Sequence, residues 1–184
     1  MSKTDLRIIK TKNSIYNALL DLMREKQFEE IKVSDICEKA LINRSTFYAH
    51  FEDKYELLAS YIKDMKESLT EELKKNNNIT SIKEYYIEMM RLFLNHIESK
   101  KDMYVAMAIN NKNSILTDIV SDAIDHDIIY HLEENNDKNN TVPNSIIAKF
   151  YLGAVVNVAL YWLNNINKYT KEEMIEYLTI LIPN

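Results

Sequence analysis

Glycine occurs once in these 184 residues and proline twice. Sheets closed by tight turns need both, because glycine supplies φ > 0 and proline presets the turn. Doubly wound folds also need glycine where the backbone approaches phosphate. Their scarcity argues against those architectures and leaves an all-α chain. Cysteine is likewise single, at Cys37, so no internal disulfide can form and a reducing compartment suits the protein. No run approaches the roughly 18 uncharged apolar residues of a membrane span. The opening residues, Met1-Ser-Lys-Thr-Asp-Leu-Arg7, lack the apolar stretch of a secretion signal. A cytoplasmic protein without membrane contact is expected.

What is present is a core-forming composition, 46% apolar, with a formal net charge of −5. The acidity is unevenly spread. Residues 1–58 hold ten Lys/Arg against ten Asp/Glu, so the deficit belongs wholly to the remaining 126 residues, while the first twelve carry +3. Polyanion binding depends on where cations sit rather than on their total. The N-terminal third therefore permits DNA binding.

Apolar spacing of three and four residues predicts about nine helices. They fall near 8–26, 33–40, 44–50, 54–76, 81–98, a short sixth from 99, 113–134, 144–166 and 171–182. Carboxylate or hydroxyl residues three positions before an acid mark helix starts at Asp53–Glu56, Ser81–Glu84, Ser99–Asp102 and Thr170–Glu173. Asn76-Asn-Asn78 breaks the fourth helix. The polar stretch Asn135 to Pro143 reads as an exposed loop. Two domains are expected, 8–68 and 69–184.

Within the first, residues 32–51 place two short helices around Leu41-Ile42-Asn43, the arrangement of a helix-turn-helix whose second helix enters the major groove. Asn43 is the expected N-cap. Arg44, Ser45 and Thr46 follow as polar first-turn residues, the positions that face base edges. Tyr48, His50 and Lys54 offer donors or charge to flanking phosphates. Phe47 and Phe51, four apart, read as core.

These residues carry a resemblance. Thr11 to Ala18, Phe28 to Ile36 and the run Thr46-Phe-Tyr-Ala-His-Phe-Glu-Asp-Lys54 closely resemble the DNA-binding module of the TetR family of bacterial regulators. The resemblance implies base contacts from Arg44 and Ser45 and phosphate contacts from Thr46, Tyr48, His50 and Lys54. Support is implied from residues 32–34, here Lys32 to Ser34. Two positions depart from the family pattern. Leu41 stands where glycine is usual, so the turn must be strained or remodelled, at roughly 1 kcal/mol if φ is positive. Lys32 stands where threonine often caps, exchanging a cap bond for a cation.

The C-terminal pattern Phe150 to Val156, Tyr161-Trp-Leu163 and Tyr169 to Met174 resembles a recurrent C-terminal domain of such regulators, in which the last two helices form a dimer bundle. Helix 144–166 is apolar on most sides and must be covered on more than one face. Phe150, Tyr151, Ala154, Val158 and Trp162 are the candidate dimer residues. A homodimer would set two recognition helices about 34–36 Å apart on a palindromic operator. Tyr86, Met89, Met90, Phe93, Tyr104, Met107, His126 and Tyr130 are candidate lining for a small-molecule effector site, although such a stripe also makes ordinary core. Asp122, Asp125, His126 and Asp127 read as a solvated acidic face rather than a metal site, and no cofactor is expected. No phosphate loop, nucleophile pair or paired carboxylates suggest an enzyme. The expected function is a DNA-binding regulator, acting as a repressor released by an effector. The alternative is a co-regulator that keeps the fold and works through a protein partner.

Overall fold

The structure, a computed structural model, describes residues 3–75, 82–110, 142–165 and 167–181. Among them are eight α-helices, one 3-10 turn and no strand. The all-α expectation holds. The helix expected over 113–134, the Asn76–Asn78 break, the Ser81 cap and most of the 135–143 loop lie outside the described residues.

The chain divides into two compact units, residues 1–63 with 102–119, and residues 64–101 with 120–184. The division falls inside the fourth helix. It also assigns a later segment to the N-terminal unit, an arrangement that a linear reading does not contain.

In the first unit, α1 (Lys3–Glu25) starts five residues before the expected position. Its apolar residues Ile15, Leu19, Leu22 and Met23 face inward, all 7% exposed or less. A 3-10 turn (Phe28–Glu30) follows, then α2 (Val33–Lys39) and α3 (Arg44–Tyr48). Phe28, Ile31, Ile36, Phe47, Phe51 and Leu57 complete the core. At roughly 1.5–3 kcal/mol for each large side chain removed from water, this burial is the main force holding three short elements that could not persist alone. α4 (Lys54–Lys74) opens as its sequence predicts, with the Asp53 carboxylate accepting the N–H groups of Tyr55 and Glu56, both at 2.8 Å. The Glu56 carboxylate reaches back one residue further than expected, to the Glu52 N–H. α6 (Lys101–Asn110) belongs almost entirely to this unit. Burial pushes the Tyr104 phenol far above its ordinary range, and the nearby Tyr61 adds to the effect.

In the second unit, α5 (Ile82–Ser99) packs against α8 (Lys171–Leu181), and Lys171 pairs with Glu98 at 2.7 Å. Leu69, Leu73 and Leu92 form a cluster flanked by Met65, Tyr85, Met89 and Phe93. Thr170 and Glu173 form the full reciprocal cap at the start of α8: the Thr170 N–H donates to the glutamate at 2.8 Å, and the Glu173 N–H to the threonine hydroxyl at 3.2 Å. Ser99 does not cap α6. It is the last residue of α5, and its hydroxyl donates to the His96 carbonyl at 2.8 Å.

α7 (Asn144–Asn164) carries one further correction. Trp162 is 1% exposed, with its indole N–H donating to the Tyr169 carbonyl at 3.0 Å. It therefore lies in the interior of its own chain, not on the exposed face expected of a dimer residue. Phe150 is 66% exposed, whereas Ala154 and Val158 are partly buried. The Tyr151 side chain lies outside what is described.

Candidate nucleic-acid interface

The helix-turn-helix is assembled from its backbone outward. Lys32 stands at the N-cap of α2 in an extended conformation, and its N–H donates to the Asp35 carboxylate at 3.2 Å. That carboxylate also takes an ion pair from Lys26, which, with the Lys32 N–H, lowers its pKa from the usual aspartate value. Lys32 keeps its ammonium exposed, while the Ser34 hydroxyl is half-buried and donates to Asp35 at 3.4 Å.

The turn resolves the question posed by Leu41. The Leu41 N–H donates to the Glu38 carbonyl at 3.2 Å and the Ile42 N–H to the Cys37 carbonyl at 3.0 Å. This paired pattern is the Schellman closure that glycine normally serves. Leu41 adopts it with φ of 56°, in the left-handed region, and its side chain is 92% exposed. The geometry of the motif is kept and the strain is accepted. From the other side the Ser14 hydroxyl donates to the Ala40 carbonyl at 3.2 Å, fixing the turn to α1.

Asn43 is the N-cap of α3, but by its backbone alone. Its carbonyl accepts the N–H groups of Thr46 and Phe47 at 3.0 and 3.2 Å, and its side chain makes no cap bond. The amide is therefore not committed to the helix end. Arg44 and Ser45 lie exposed in the first turn, Thr46 is half-buried, Tyr48 is exposed and His50 is half-buried. The opposite side is anchored. Phe47 is fully buried, its ring 5.9 Å from Phe51, which lies 5.9 Å from Tyr16, itself 5.4 Å from Tyr61. This chain of aromatic contacts gives a five-residue helix a fixed orientation.

Lys54 is placed differently from its expected role. Its ammonium donates to the carbonyls of Phe28 at 2.9 Å, Glu29 at 2.8 Å and Ile31 at 2.9 Å. It also lies over the Phe28 and Tyr55 rings. An ammonium has three donors, so all three are used inside the domain. The group closes the 3-10 turn and leads the chain into α2. Burial lowers its pKa. Local periodicity gave no sign of this role, because the partners are 23 to 26 residues away.

Cys37 is 5% exposed, and burial pushes its thiol up, the reverse of what a nucleophile needs. The described candidate effector residues fall in both units. Tyr86, Met89, Met90 and Phe93 belong to the second unit, with Tyr86 and Met90 buried, whereas Tyr104 and Met107 belong to the first. His126 and Tyr130 lie outside the described residues, as do the acidic positions 122–127. Among the described residues no group of carboxylate, histidine or cysteine side chains is arranged to hold a metal, and no helix is long and apolar enough to cross a membrane.

Comparison with known proteins agrees with this geometry. The family of bacterial regulatory proteins named tetR matches residues 15–61, and a transcriptional regulator C-terminal region matches residues 84–184. Over 59 residues the chain is 42% identical to the uncharacterised HTH-type transcriptional regulator YxbF of Bacillus subtilis, a match covering 32% of this chain and 16% of that protein. Over 49 residues it is 43% identical to DhaS, the HTH-type dhaKLM operon transcriptional activator of Lactococcus lactis, covering 27% of this chain and 26% of the relative. Both matches thus span well under two thirds of the relatives' length. The crystal structure of a TetR transcriptional regulator from Streptococcus agalactiae superposes with a TM-score of 0.66 at 26% identity, covering 98% of each chain. Members of this family are DNA-binding transcription factors, not enzymes. With both the N-terminal head and the C-terminal region matched, the chain belongs to the TetR family of bacterial transcription regulators.

Proposed function

We propose that this regulator reads a palindromic operator as a homodimer, represses from it in the cytoplasm, and is released by a small-molecule effector. The observation that carries the operator reading is the division of α3 into two faces. Phe47 is locked in the core, while Arg44, Ser45 and Tyr48 stand in solvent on a helix too short to move independently. Arg44 and Ser45 are assigned to base edges. Asn43, Thr46, Tyr48, His50, Lys32 and Ser34 are assigned to phosphates or their support. Lys54 is assigned to positioning α2 rather than to phosphate.

The homodimer is supported by exposed apolar residues on the last two helices. Ile146, Phe150, Leu160 and Tyr161 on α7 join Gly153 and Asn157 at helical spacing, and α8 adds Tyr177, Ile180 and Leu181. An exposed apolar row of this extent marks an interaction face. Two copies joined there would present two recognition helices to half-sites about one helical turn apart. The effector is assigned to the second unit, beside the partly buried Met89 and Phe93, where flexible and aromatic groups suit an adaptable site. DhaS is named as an activator, but that match covers 27% of this chain and 26% of DhaS and carries no argument on the sense of regulation.

Selection of bound fragments from random duplex DNA tests the reading. A single two-fold symmetric motif supports it. Recovery of no enriched sequence overturns it, and an asymmetric single half-site overturns the dimer.

A further inference from the structure

The cations of the DNA-binding unit sort into two groups. Arg24 pairs with Asp21, Lys26 with Asp35 and Lys39 with Glu25. Lys54 is tied to three carbonyls, and Lys12 lies over the Tyr16 ring at 5.4 Å. Of the basic residues in this unit up to position 58 whose side chains are described, Arg7, Lys10, Lys32 and Arg44 remain. Among the described residues none of these four takes part in an ion pair. Two of them are on the helix-turn-helix. The other two, Arg7 and Lys10, are on the early turns of α1.

Their position follows from the helix. Residues 7, 11, 14 and 18 share one side of α1 at spacings of three and four. Along this row Ala18 is buried in the core, and Ser14 donates to the Ala40 carbonyl of the turn. Thr11 and Arg7 line an open cleft of about 510 Å³ together with Leu41, Ile42, Asn43 and Thr46. The row thus runs from the core, past the turn, to the start of the recognition helix. Cys37 and Glu38 complete the lining, Glu38 being its one acidic group. Lys10, one helical position to the side, is exposed, as is Arg7.

We infer that Arg7 and Lys10 form a second phosphate-binding element, which grips the duplex backbone beside the phosphates held by α2 and α3. The occupant is the same DNA duplex, selected by charge. Cations without carboxylate partners, next to residues that face bases, meet a polymer carrying one negative charge per roughly 1.7 Å of axis. The element reads no sequence, because it presents charge to phosphates rather than donors to base edges. It uses two of the four cations that give the first twelve residues of this acidic chain their +3 charge. The inference rests on the proposed operator binding and extends its contact surface.

The test measures affinity against salt concentration for the full-length protein, on its selected operator and on a random duplex. Each neutralised phosphate contributes about 0.9 to the logarithmic salt slope. The R7Q/K10Q double variant should lower that slope by roughly 2 on both duplexes, weaken both by the same factor, and leave the ratio between them unchanged. The charge-conserving R7K/K10R variant should keep the wild-type slope. An R7Q/K10Q slope equal to wild type overturns the inference while leaving operator binding intact. A changed ratio between operator and random duplex overturns the sequence-independent role. Wild-type protein with no salt-dependent binding to either duplex overturns the operator reading itself.

Discussion

The ammonium of Lys54 lies 2.9 Å from the carbonyl oxygen of Ile31, across 23 residues of sequence. The start of α4 is thereby tied to the chain entering α2. Removing the charge while keeping the length, as in Lys54→Met, takes the Lys54 donor from the Glu29 and Ile31 carbonyls and leaves the Phe28 carbonyl with the Ile31 N–H alone. We expect a loss of roughly 1–3 kcal/mol in unfolding free energy and an unchanged salt slope of DNA binding. Urea titration and binding isotherms at several salt concentrations check the two halves. A slope reduced by about 1 would return Lys54 to the phosphate contacts.

Arg44→Ala should act on specificity. Loss of its base contact is expected to reduce discrimination between operator and random duplex by ~1–3 kcal/mol, with little change in unfolding free energy because the side chain is exposed. Competition binding against random duplex measures it.

Leu41→Gly should stabilise the protein. The left-handed backbone is costly for a branched residue, and a side chain 92% exposed gives up little burial when removed. A gain of roughly 1 kcal/mol is expected, read as a higher thermal midpoint. A lower midpoint would mean that the Leu41 side chain supplies contacts outweighing the strain.

Phe150→Glu and Trp162→Ala should separate association from folding. The first places charge on the exposed face of α7 and should reduce the light-scattering mass from twice 21.7 kDa to 21.7 kDa. The second removes a buried indole and should cost about 3–5 kcal/mol of stability. If Phe150→Glu leaves the mass at its dimeric value, the proposed interface is elsewhere.

Asp35→Asn should alter acid sensitivity. The folded carboxylate is held below its ordinary value, chiefly by Lys26 and also by the Lys32 N–H. Its stabilising contribution is therefore complete above the unfolded value of about 3.9 and is lost as pH falls through the lower folded value. The urea midpoints of wild type and variant should differ at neutral pH and converge below about pH 4. A constant gap across that range would show that the ion pair does not set the difference.

The legible parts of the molecule were those encoded within a few residues. Asp53 and Thr170 announced their helix starts because a cap is a contact over three positions. The stretch from Thr46 to Lys54 was recognisable because its residue types are unusual in combination, and Leu41 stood out as a misfit to its turn. The 3-10 turn at Phe28 was not anticipated, since three residues carry no period. The burial of Trp162 is not legible because α7 is apolar on most sides, so spacing alone does not separate its inner face from its outer one. The Lys54 tether and the inclusion of residues 102–119 in the first unit are long-range arrangements that no local pattern reports.

Cys37 gives the DNA-binding unit an internal clock. It is the chain's one thiol, only 5% exposed on the lining of the open cleft beside the turn, so an aqueous reagent reaches it slowly. The labelling rate of the unmodified protein therefore reports access to that cleft, through its widening or through local opening of the helix-turn-helix. Any duplex that clamps the unit shut should slow that rate in proportion to the time it stays bound.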